Sequence, residues 1–295
     1  MRNKSNPCFV MMIRTKVEDG GKKTVSGLTI LDKELFVVSS HRSEIEVYDS
    51  IKLSFSRQLN VKELFGPLDI VSCNTNTCLY IFDDKDRTGQ SKEILRVDPN
   101  GKLIKKWSTG EDWGYGLSVT YESNVLSVVC NKHKLREYSP DGCLICEIDL
   151  SSHAFIYHPL HAIKLTNNHF LVSHGEIYDD LHRVCIVDSD GNLTKSYGEK
   201  CGSKVPQLFK PFYLSVDVNG FVMVADQVNS RVLLLDSDLE FKREILSRIS
   251  NSEVRKVPDW RLLSFPTKIL LDETNGRLFV FDNAPGNPRI VVFDY

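Results

Sequence analysis

Short apolar runs, separated by polar turn residues, repeat six times along the chain. Each repeat opens with Gly or Pro, and the six opening residues are Gly27, Pro67, Gly116, Pro159, Pro211 and Pro266. Every repeat then contains a second run rich in β-branched and aromatic residues and a third run, and the first five repeats add a fourth. Runs of this length, bounded by turn residues, are typical of β-strands. The pattern therefore predicts four antiparallel strands per repeat.

Tight turns join the third and fourth runs of several repeats. Residues 98–101, 139–142 and 188–191 each end in Gly, which supplies the positive φ that a tight reversal requires. Four antiparallel strands repeated every 40 to 55 residues describe the blades of a β-propeller. We therefore predict an all-β, six-bladed β-propeller that spans residues 1–295 as a single domain, with blades beginning near residues 25, 65, 115, 158, 210 and 265.

The sixth repeat has no fourth run because the chain stops at Tyr295. Residues 9–17, which precede the first repeat, have strand character, and we expect them to complete the sixth blade as its outer strand. Such pairing closes the ring and covers an exposed sheet edge. Only the last spacing, of 55 residues, leaves room for a seventh blade. Long helices are disfavoured because no stretch of twelve or more residues keeps a 3.6-residue apolar period.

The composition restricts the class of protein. Apolar residues make up 41% of the chain and charged residues 26%, which is typical of a folded chain. With 37 Lys and Arg against 39 Asp and Glu, the net charge of −2 gives no overall positive field for nucleic acid or anionic lipid. No apolar run is long enough to span a membrane, and the eight scattered cysteines favour reduced thiols. We expect a cytoplasmic protein that does not associate with membranes.

The fifth repeat carries a distinctive motif. It reads Pro-Phe-Tyr-Leu-Ser-Val-Asp at 211–217 and Gly-Phe-Val-Met-Val-Ala-Asp at 220–226, followed by Asn229-Ser230-Arg231. The sixth repeat keeps Phe-Asp-Asn at 281–283 and Asn-Pro-Arg at 287–289. This pattern resembles the NHL-repeat family, and the resemblance covers residues 9–295. It implies a six-bladed propeller similar to the C-terminal propeller of tripartite-motif (TRIM-NHL) proteins.

In that family the propeller binds RNA or protein and is commonly joined to a ubiquitin-ligase RING. The resemblance therefore implies a non-catalytic binding scaffold in ubiquitin-ligase or post-transcriptional regulation, with a protein or a single-stranded or hairpin RNA as partner. The chain itself has no RING, because Cys143 and Cys146 form its only C-x-x-C pair. The resemblance thus implies a RING or coiled-coil partner chain.

Basic and aromatic residues concentrate in the turns between second and third strands and in the connections between blades. Both kinds of loop project from one face of a propeller, and loops on a rigid scaffold are where binding residues gather. Aromatic rings there stack on bases or pack on a peptide. The predicted binding-face residues are Arg42, Lys132, Arg183, Lys204, Arg231, Arg255, Lys256 and Arg261, together with Trp113, Tyr157 and Trp260. The competing interpretation is a solvated surface of mixed charge.

Two of these features have a structural alternative. Arg231 and Asp226 form a repeat-like pair that can hold a loop in place, and we favour this role over direct ligand contact. Cys143 and Cys146 stand three residues apart on a predicted strand, where alternation turns them to opposite faces, so they are expected to be ordinary strand residues.

The alternative function is a propeller enzyme of the lactonase or amidating-lyase type, with a divalent metal in the central channel. The inner strands offer Thr29, Asp69, Ser118, His161, Tyr213 and Lys268. One carboxylate facing a Lys is a poor set for a hard cation, which prefers several oxygen ligands. No nucleophile, phosphate or dinucleotide motif is present. We therefore predict no catalytic residue, no metal and no cofactor.

Overall fold

The structure is a computed structural model that describes residues 8–13, 25–40, 42–85, 92–110, 113–247, 263–284 and 288–295. In these residues the regular secondary structure consists of β-strands and one short 3₁₀ turn (Cys130–Lys132). The strands form six four-stranded sheets in which neighbours run antiparallel. Within the same residues, no helix is both long and apolar enough to cross a membrane.

The strands of each of the first five sheets follow one another along the chain. The N-terminal strand is β1 (Cys8–Ile13). The first sheet contains β2 (Val25–Leu31), β3 (Glu34–Ser39), β4 (Glu44–Asp49) and β5 (Ser54–Asn60). The second contains β6 (Pro67–Cys73), β7 (Cys78–Asp84), β8 (Lys92–Val97) and β9 (Leu103–Gly110). The third contains β10 (Leu117–Val119), β11 (Val125–Val129), β12 (Lys134–Tyr138) and β13 (Leu144–Asp149).

The remaining three sheets continue this order. The fourth contains β14 (Pro159–Lys164), β15 (Phe170–His174), β16 (Arg183–Val187) and β17 (Leu193–Tyr197). The fifth contains β18 (Pro211–Val216), β19 (Val222–Asp226), β20 (Arg231–Leu235) and β21 (Phe241–Leu246). The sixth contains β22 (Pro266–Asp272), β23 (Arg277–Asp282) and β24 (Arg289–Asp294), with β1 as its fourth strand.

The fold class is a six-bladed β-propeller, which confirms the prediction from the repeats. As expected, the N-terminal strand completes the sixth blade, because β1 pairs antiparallel with β24. Phe9 stands opposite Phe293, and the two rings meet edge to face with their centroids 6.3 Å apart. The observed strand ends at Ile13, whereas the predicted one continued to residue 17; residues 14–17 lie outside the described part of the chain.

The chain divides into two compact units. The first unit comprises Gly21–Val172 and Cys185–Thr194, and the second comprises Met1–Gly20, Ser173–Val184 and Lys195–Tyr295. Strands of the fourth sheet contribute residues to both. The prediction that residues 1–295 form a single domain stays a prediction.

In the first unit, neighbouring sheets pack through their inner strands, with β2 against β6 and β10 against both β6 and β14. Buried side chains such as Phe36, Ile45 and Ile81 fill the space between the first two sheets. A Cβ atom on Gly27 would lie 2.6 Å from the Ile70 backbone nitrogen. The first two inner strands therefore approach more closely at Gly27 than a side chain would permit, which explains the Gly at the start of the first repeat.

In the second unit, β18 packs against β22. Side chains from the fifth and sixth sheets form one buried apolar cluster that includes Met223, Val232, Ile269 and Val280. Burying side chains of this size stabilises the fold by about 1.5–3 kcal/mol each. The two sheets of the unit thus share a single core.

The loops that carry the predicted binding-face residues lie at one end of the strands in each unit. In an antiparallel sheet, the turn between the second and third strands and the connection into the next sheet lie at the same end. In the first unit this end carries the 3₁₀ turn between β11 and β12 and the connections before β6, β10 and β14. In the second unit it carries the turn between β19 and β20 and the connection before β18. We call each of these the loop end of its unit.

Candidate functional site

The structure describes seven of the eleven predicted binding-face residues. Arg255, Lys256, Trp260 and Arg261 lie outside the described residues. The first unit contains Arg42, Trp113, Lys132 and Tyr157, and the second contains Arg183, Lys204 and Arg231. All seven lie at or beside the loop end of their unit.

The first unit presents one aromatic side chain ahead of each of three successive inner strands. Phe65 precedes β6, Trp113 precedes β10 and Tyr157 precedes β14. Their side chains are 45%, 54% and 45% exposed, respectively. We call Phe65, Trp113 and Tyr157 the pre-strand aromatics. They stand two to four residues ahead of the inner strands of three successive blades, and each side chain is about half exposed.

Polar side chains at the ends of second strands fix the backbone beneath the first two of these rings. A carboxylate oxygen of Asp83 accepts hydrogen bonds from the backbone N–H of Phe65 at 3.2 Å and of Gly66 at 2.8 Å. Asn131 Oδ1 accepts the Trp113 N–H at 3.0 Å. Asp83 is fully buried, and its burial raises its pKa to about 6. The exposed rings of Phe65 and Trp113 are therefore carried by backbone that these side-chain hydrogen bonds fix.

His133 holds the third ring. It follows the 3₁₀ turn with a left-handed backbone (φ 57°), and its Nδ1 accepts the backbone N–H of His158 at 3.0 Å. Its ring also meets the Tyr157 ring nearly at right angles, with centroids 5.1 Å apart. Because Nδ1 accepts, a neutral His133 carries its proton on Nε2. Lys132, the last residue of the 3₁₀ turn, is exposed directly beside this contact.

This arrangement combines exposed aromatic rings with a cation on a fixed backbone. Rings of this kind pack against apolar side chains or stack on bases, and an exposed Lys attracts carboxylate or phosphate groups. Sequence reasoning identified Trp113, Lys132 and Tyr157 but missed Phe65 and His133. The signal for Phe65 was available, because an aromatic residue recurs shortly before the Gly or Pro that opens most repeats. His133 had no sequence signal, because its role depends on the conformation of the loop at His158.

In the second unit, Arg231 is only 6% exposed, and its guanidinium is used inside the protein. Nε donates to Asp226 Oδ2 at 2.7 Å, while Nη1 and Nη2 donate to the carbonyl oxygens of Ser203 and Gln207, both at 2.8 Å. These contacts agree with the loop-holding role favoured for Arg231 from the sequence, and they leave its guanidinium little exposed surface for a ligand. Its role is to order the loop that carries the exposed Lys204.

Asp226 is the buried counterpart of this arginine. Besides Arg231, it accepts hydrogen bonds from the Phe209 N–H at 2.7 Å and from Asn229 Nδ2 at 2.8 Å. Burial raises the pKa of Asp226 even though Arg231 and these donors favour its charged form. In the sixth sheet, Arg289 contacts Asp282 in the same way, with Nη2 3.2 Å from Oδ2.

A pocket of about 430 Å³ lies beside these loops in the second unit. Its lining includes Arg183, Glu199 and Lys200, so both signs of charge face the cavity. Arg183 Nε donates to His174 Nε2 at 3.1 Å, which orients the guanidinium from below. The pocket can therefore hold a small polar group, but its mixed charges select no particular one.

His182 is the most enclosed imidazole of this region. Its Nδ1 accepts the Lys210 N–H at 2.9 Å, and its Nε2 donates to the Asp179 carbonyl at 3.0 Å. The residue is fully buried, and burial lowers its pKa. His182 is therefore neutral, with its proton on Nε2, and joins two loop segments.

Polar residues on the inner strands of the first unit serve the backbone. Asp69 accepts the N–H groups of Ile70 at 2.8 Å and Leu117 at 2.9 Å, and His161 Nε2 lies 3.2 Å from the Leu117 carbonyl. These contacts tie adjacent inner strands together. In the second unit, the Lys268 ammonium lies 4.1 Å from the centre of the Tyr213 ring.

Metal-binding side chains are dispersed in the described part of the chain, where no three His, Cys, Asp or Glu residues gather as a metal site. Cys143 is exposed and Cys146 partly buried, and both are free thiols. The expectations of no catalytic residue and no cofactor remain predictions, because the fold alone does not test them.

No protein-family model matches the sequence, and no curated protein matches it either. Solved structures do share its fold. A protein of unknown function from Bacteroides caccae is 14% identical, with a TM-score of 0.64 over 88% of this chain and 89% of the other. Virginiamycin B lyase from Staphylococcus aureus is 11% identical, with a TM-score of 0.60 over 92% and 81%. The WD40 β-propeller domain of Doa1 is 12% identical, with a TM-score of 0.59 over 92% and 79%.

What these proteins share is the β-propeller fold. Identities of 11–14% show similarity of fold alone, and the three proteins differ in what their names say of them. The comparisons therefore support a propeller without singling out the NHL type.

Proposed function

We propose that the protein is a non-catalytic binding scaffold that docks an extended segment of a partner protein on the pre-strand aromatics Phe65, Trp113 and Tyr157. The observation that carries this proposal is a row of three half-exposed rings, each two to four residues ahead of an inner strand in three successive blades, on backbone fixed by Asp83, Asn131 and His133. A repeated set of anchors suits a partner that is itself extended.

The energetics of protein interfaces support this choice. Aromatic anchors at the centre of an interface dominate binding, and each costs about 2 kcal/mol or more when truncated at a hot spot. Rings on a preordered backbone lose little conformational entropy on binding. The exposed Lys132 beside Tyr157 favours a partner segment that carries a carboxylate near its apolar side chains.

Charge favours a protein partner over RNA. Arg231 is buried, and Lys210 of the same loop region pairs with Glu176 at 2.7 Å. RNA phosphates are bound by several exposed cations, and the burial of Arg231 leaves fewer such cations at this loop end. RNA binding is therefore the competing outcome of the experiment below.

The wider setting follows from the resemblance to NHL repeats. We propose that the chain works in the cytoplasm as an NHL-type propeller alongside a partner chain that carries a RING or a coiled coil, in ubiquitin-ligase or post-transcriptional regulation. Metal analysis of the purified protein tests the alternative, because one tightly held divalent ion per chain would favour a propeller enzyme.

Crosslinking in cells, followed by purification of the chain and identification of both bound protein and bound RNA, tests the proposal. We expect a specific protein whose affinity for the chain falls about thirtyfold with Trp113→Ala or Tyr157→Ala, the loss expected for a hot spot of about 2 kcal/mol. Phe65→Ala should act in the same direction.

Tyr121→Ala is the matched control, because Tyr121 is 74% exposed in the turn between β10 and β11, at the opposite end of the strands. Equal losses in Trp113→Ala and Tyr121→Ala would contradict the proposal. So would the recovery of RNA alone, with a salt-dependent affinity that Lys132→Ala weakens and Trp113→Ala leaves unchanged.

A further inference from the structure

The hairpin formed by β6 and β7 brings two cysteines directly opposite each other. Cys73 ends β6, Cys78 begins β7, and the strand register pairs the two residues. They are 2% and 0% exposed, and both are free thiols in the same buried cluster. Directly opposed residues of an antiparallel pair point to the same face of the sheet. The two thiols therefore face one another in the core.

The register also fixes the spacing of the pair. The Ile70 N–H donates to the side chain of Asp69 at 2.8 Å, which marks Ile70 as a residue that does not bond across to β7. Hydrogen-bonded and non-hydrogen-bonded pairs alternate along an antiparallel ladder, and the register from Ile70 to Cys73 is unbroken. Cys73 and Cys78 thus form a hydrogen-bonded pair, whose Cα atoms lie about 5.5 Å apart. Disulfides span roughly 4.4–6.8 Å between Cα atoms.

The surroundings of the pair suit controlled oxidation. Burial raises the pKa of the Cys78 thiol, and the neighbouring Arg96 guanidinium acts in the opposite direction by favouring the thiolate. Arg96 is held in place by the Pro140 carbonyl, 3.3 Å from its Nη1. In the closed hairpin the thiol is shielded from solvent, and the Arg96 cation already stands beside the Cys78 sulfur.

The turn above the pair provides the opening. Residues 74–77 connect the two strands and are largely exposed. Thr77 has a φ of 45°, which is an unfavourable backbone for a β-branched residue, and the Asn76 amide nitrogen is buried without a hydrogen-bond partner within the described structure. Both features lower the free energy needed to open the turn.

We infer that Cys73 and Cys78 are a modification site that hydrogen peroxide converts to an intramolecular disulfide. The Cys78 thiolate attacks one peroxide oxygen; the O–O bond breaks, and Cys78 becomes a sulfenic acid while the other oxygen leaves as water. The Cys73 thiolate then attacks the Cys78 sulfur and displaces the sulfenic oxygen as a second water. Two thiols lose two hydrogens in all, and one peroxide is reduced. A thiol reductant reverses the change.

Peptide mapping of the full chain tests the inference. The reduced protein is treated with hydrogen peroxide, alkylated in denaturant and digested with trypsin, which releases both cysteines in the single peptide 63–85 because no Lys or Arg lies between residues 62 and 85. We expect this peptide to lose two hydrogen masses and both alkyl groups, and to regain them after reduction. Cys143 and Cys201, which are exposed, report that the peroxide reached the protein.

Cys73→Ser and Cys78→Ser are the matched controls, since each should leave the remaining thiol of the peptide open to alkylation. Full alkylation of Cys73 and Cys78 in the wild-type chain, at a peroxide dose that oxidises Cys143 and Cys201, would overturn the inference. A disulfide joining peptide 63–85 to another peptide would overturn it as well. Because the wild-type chain gives the decisive result, the inference remains testable even if a variant fails to fold. The outcome does not depend on the proposed partner.

Discussion

Replacement of Arg231 by Met removes the guanidinium while keeping much of the side-chain volume. The change breaks the ion pair with Asp226 and releases the carbonyl oxygens of Ser203 and Gln207, all now 2.7 to 2.8 Å from the guanidinium nitrogens. It therefore probes whether this arginine orders the loop before β18, as its burial indicates.

The expected cost follows from what Asp226 retains. Removing one member of a buried ion pair destabilises a protein by about 3–5 kcal/mol, because the remaining charge is left without a partner. Asp226 keeps the Phe209 N–H and the Asn229 amide, which partly satisfy its carboxylate. We expect a loss near the lower limit, about 3 kcal/mol in the free energy of unfolding.

Urea unfolding at pH 7 measures this loss, and a double-mutant cycle with Asp226→Asn isolates the pair. The double variant should cost less than the sum of the two single changes. Lys195→Ala is the control, because Lys195 pairs with Asp238 where both side chains are largely exposed, and such pairs contribute about 0–1 kcal/mol.

The dependence on pH gives a second check. Burial raises the pKa of Asp226, and loss of Arg231 removes a charge that lowers it. A carboxyl whose pKa is raised on folding favours the folded state below its unfolded pKa and loses that contribution as the pH rises. The Arg231→Met deficit should therefore shrink as the pH falls towards 4. A deficit below about 1 kcal/mol at pH 7, or one that does not change with pH, would refute the reasoning.

Two further predictions concern the closing strand and a buried imidazole. Deletion of residues 1–13 removes β1, exposes the edge of β24 and uncovers Phe293, so the protein should lose cooperative unfolding or solubility. Deletion of residues 1–7 is the control and should preserve both. An equally stable product of the longer deletion would contradict the closure of the sixth blade by β1. Burial lowers the pKa of His182, so as the pH falls the imidazole takes up a proton in the unfolded chain before it does so in the folded chain. The free energy of unfolding of the wild-type chain should therefore fall below pH 6.5, by up to about 1.4 kcal/mol per pH unit. Urea titrations should show that His182→Gln removes this slope, and an equal slope in both proteins would contradict the role of His182.

The fold could be predicted from the sequence because each strand is marked by residues that are close together in the chain. Each strand is a short apolar run between turn residues, and the repetition of that pattern fixes the number of blades. The closing strand was harder to delimit, since nothing in residues 9–17 marks where pairing with β24 ends. Pairing is decided by the partner strand, which lies at the other end of the chain.

The loop ends could be predicted only in part. A charged residue after a strand looks exposed in sequence, but Arg231 is buried because carbonyl groups from a loop more than twenty residues away supply its partners. His133 likewise acquires its role from the backbone of His158. Such contacts depend on loop conformation, which apolar periodicity does not encode.

The acidic residue that ends several second strands explains why the repeat motif carries the fold rather than the specificity. Asp83, Asp226 and Asp282 are all fully buried, and each accepts backbone N–H groups from the segment that enters its own blade. Hydrogen bonds to these amides offset the cost of burying the carboxylates and fix the loop beneath the surface. These acidic residues therefore stabilise their blade and are not available to contact a ligand. Under the proposed binding function, we expect discrimination between partners to come instead from exposed side chains that differ between blades, such as Phe65, Trp113 and Tyr157 in the first unit.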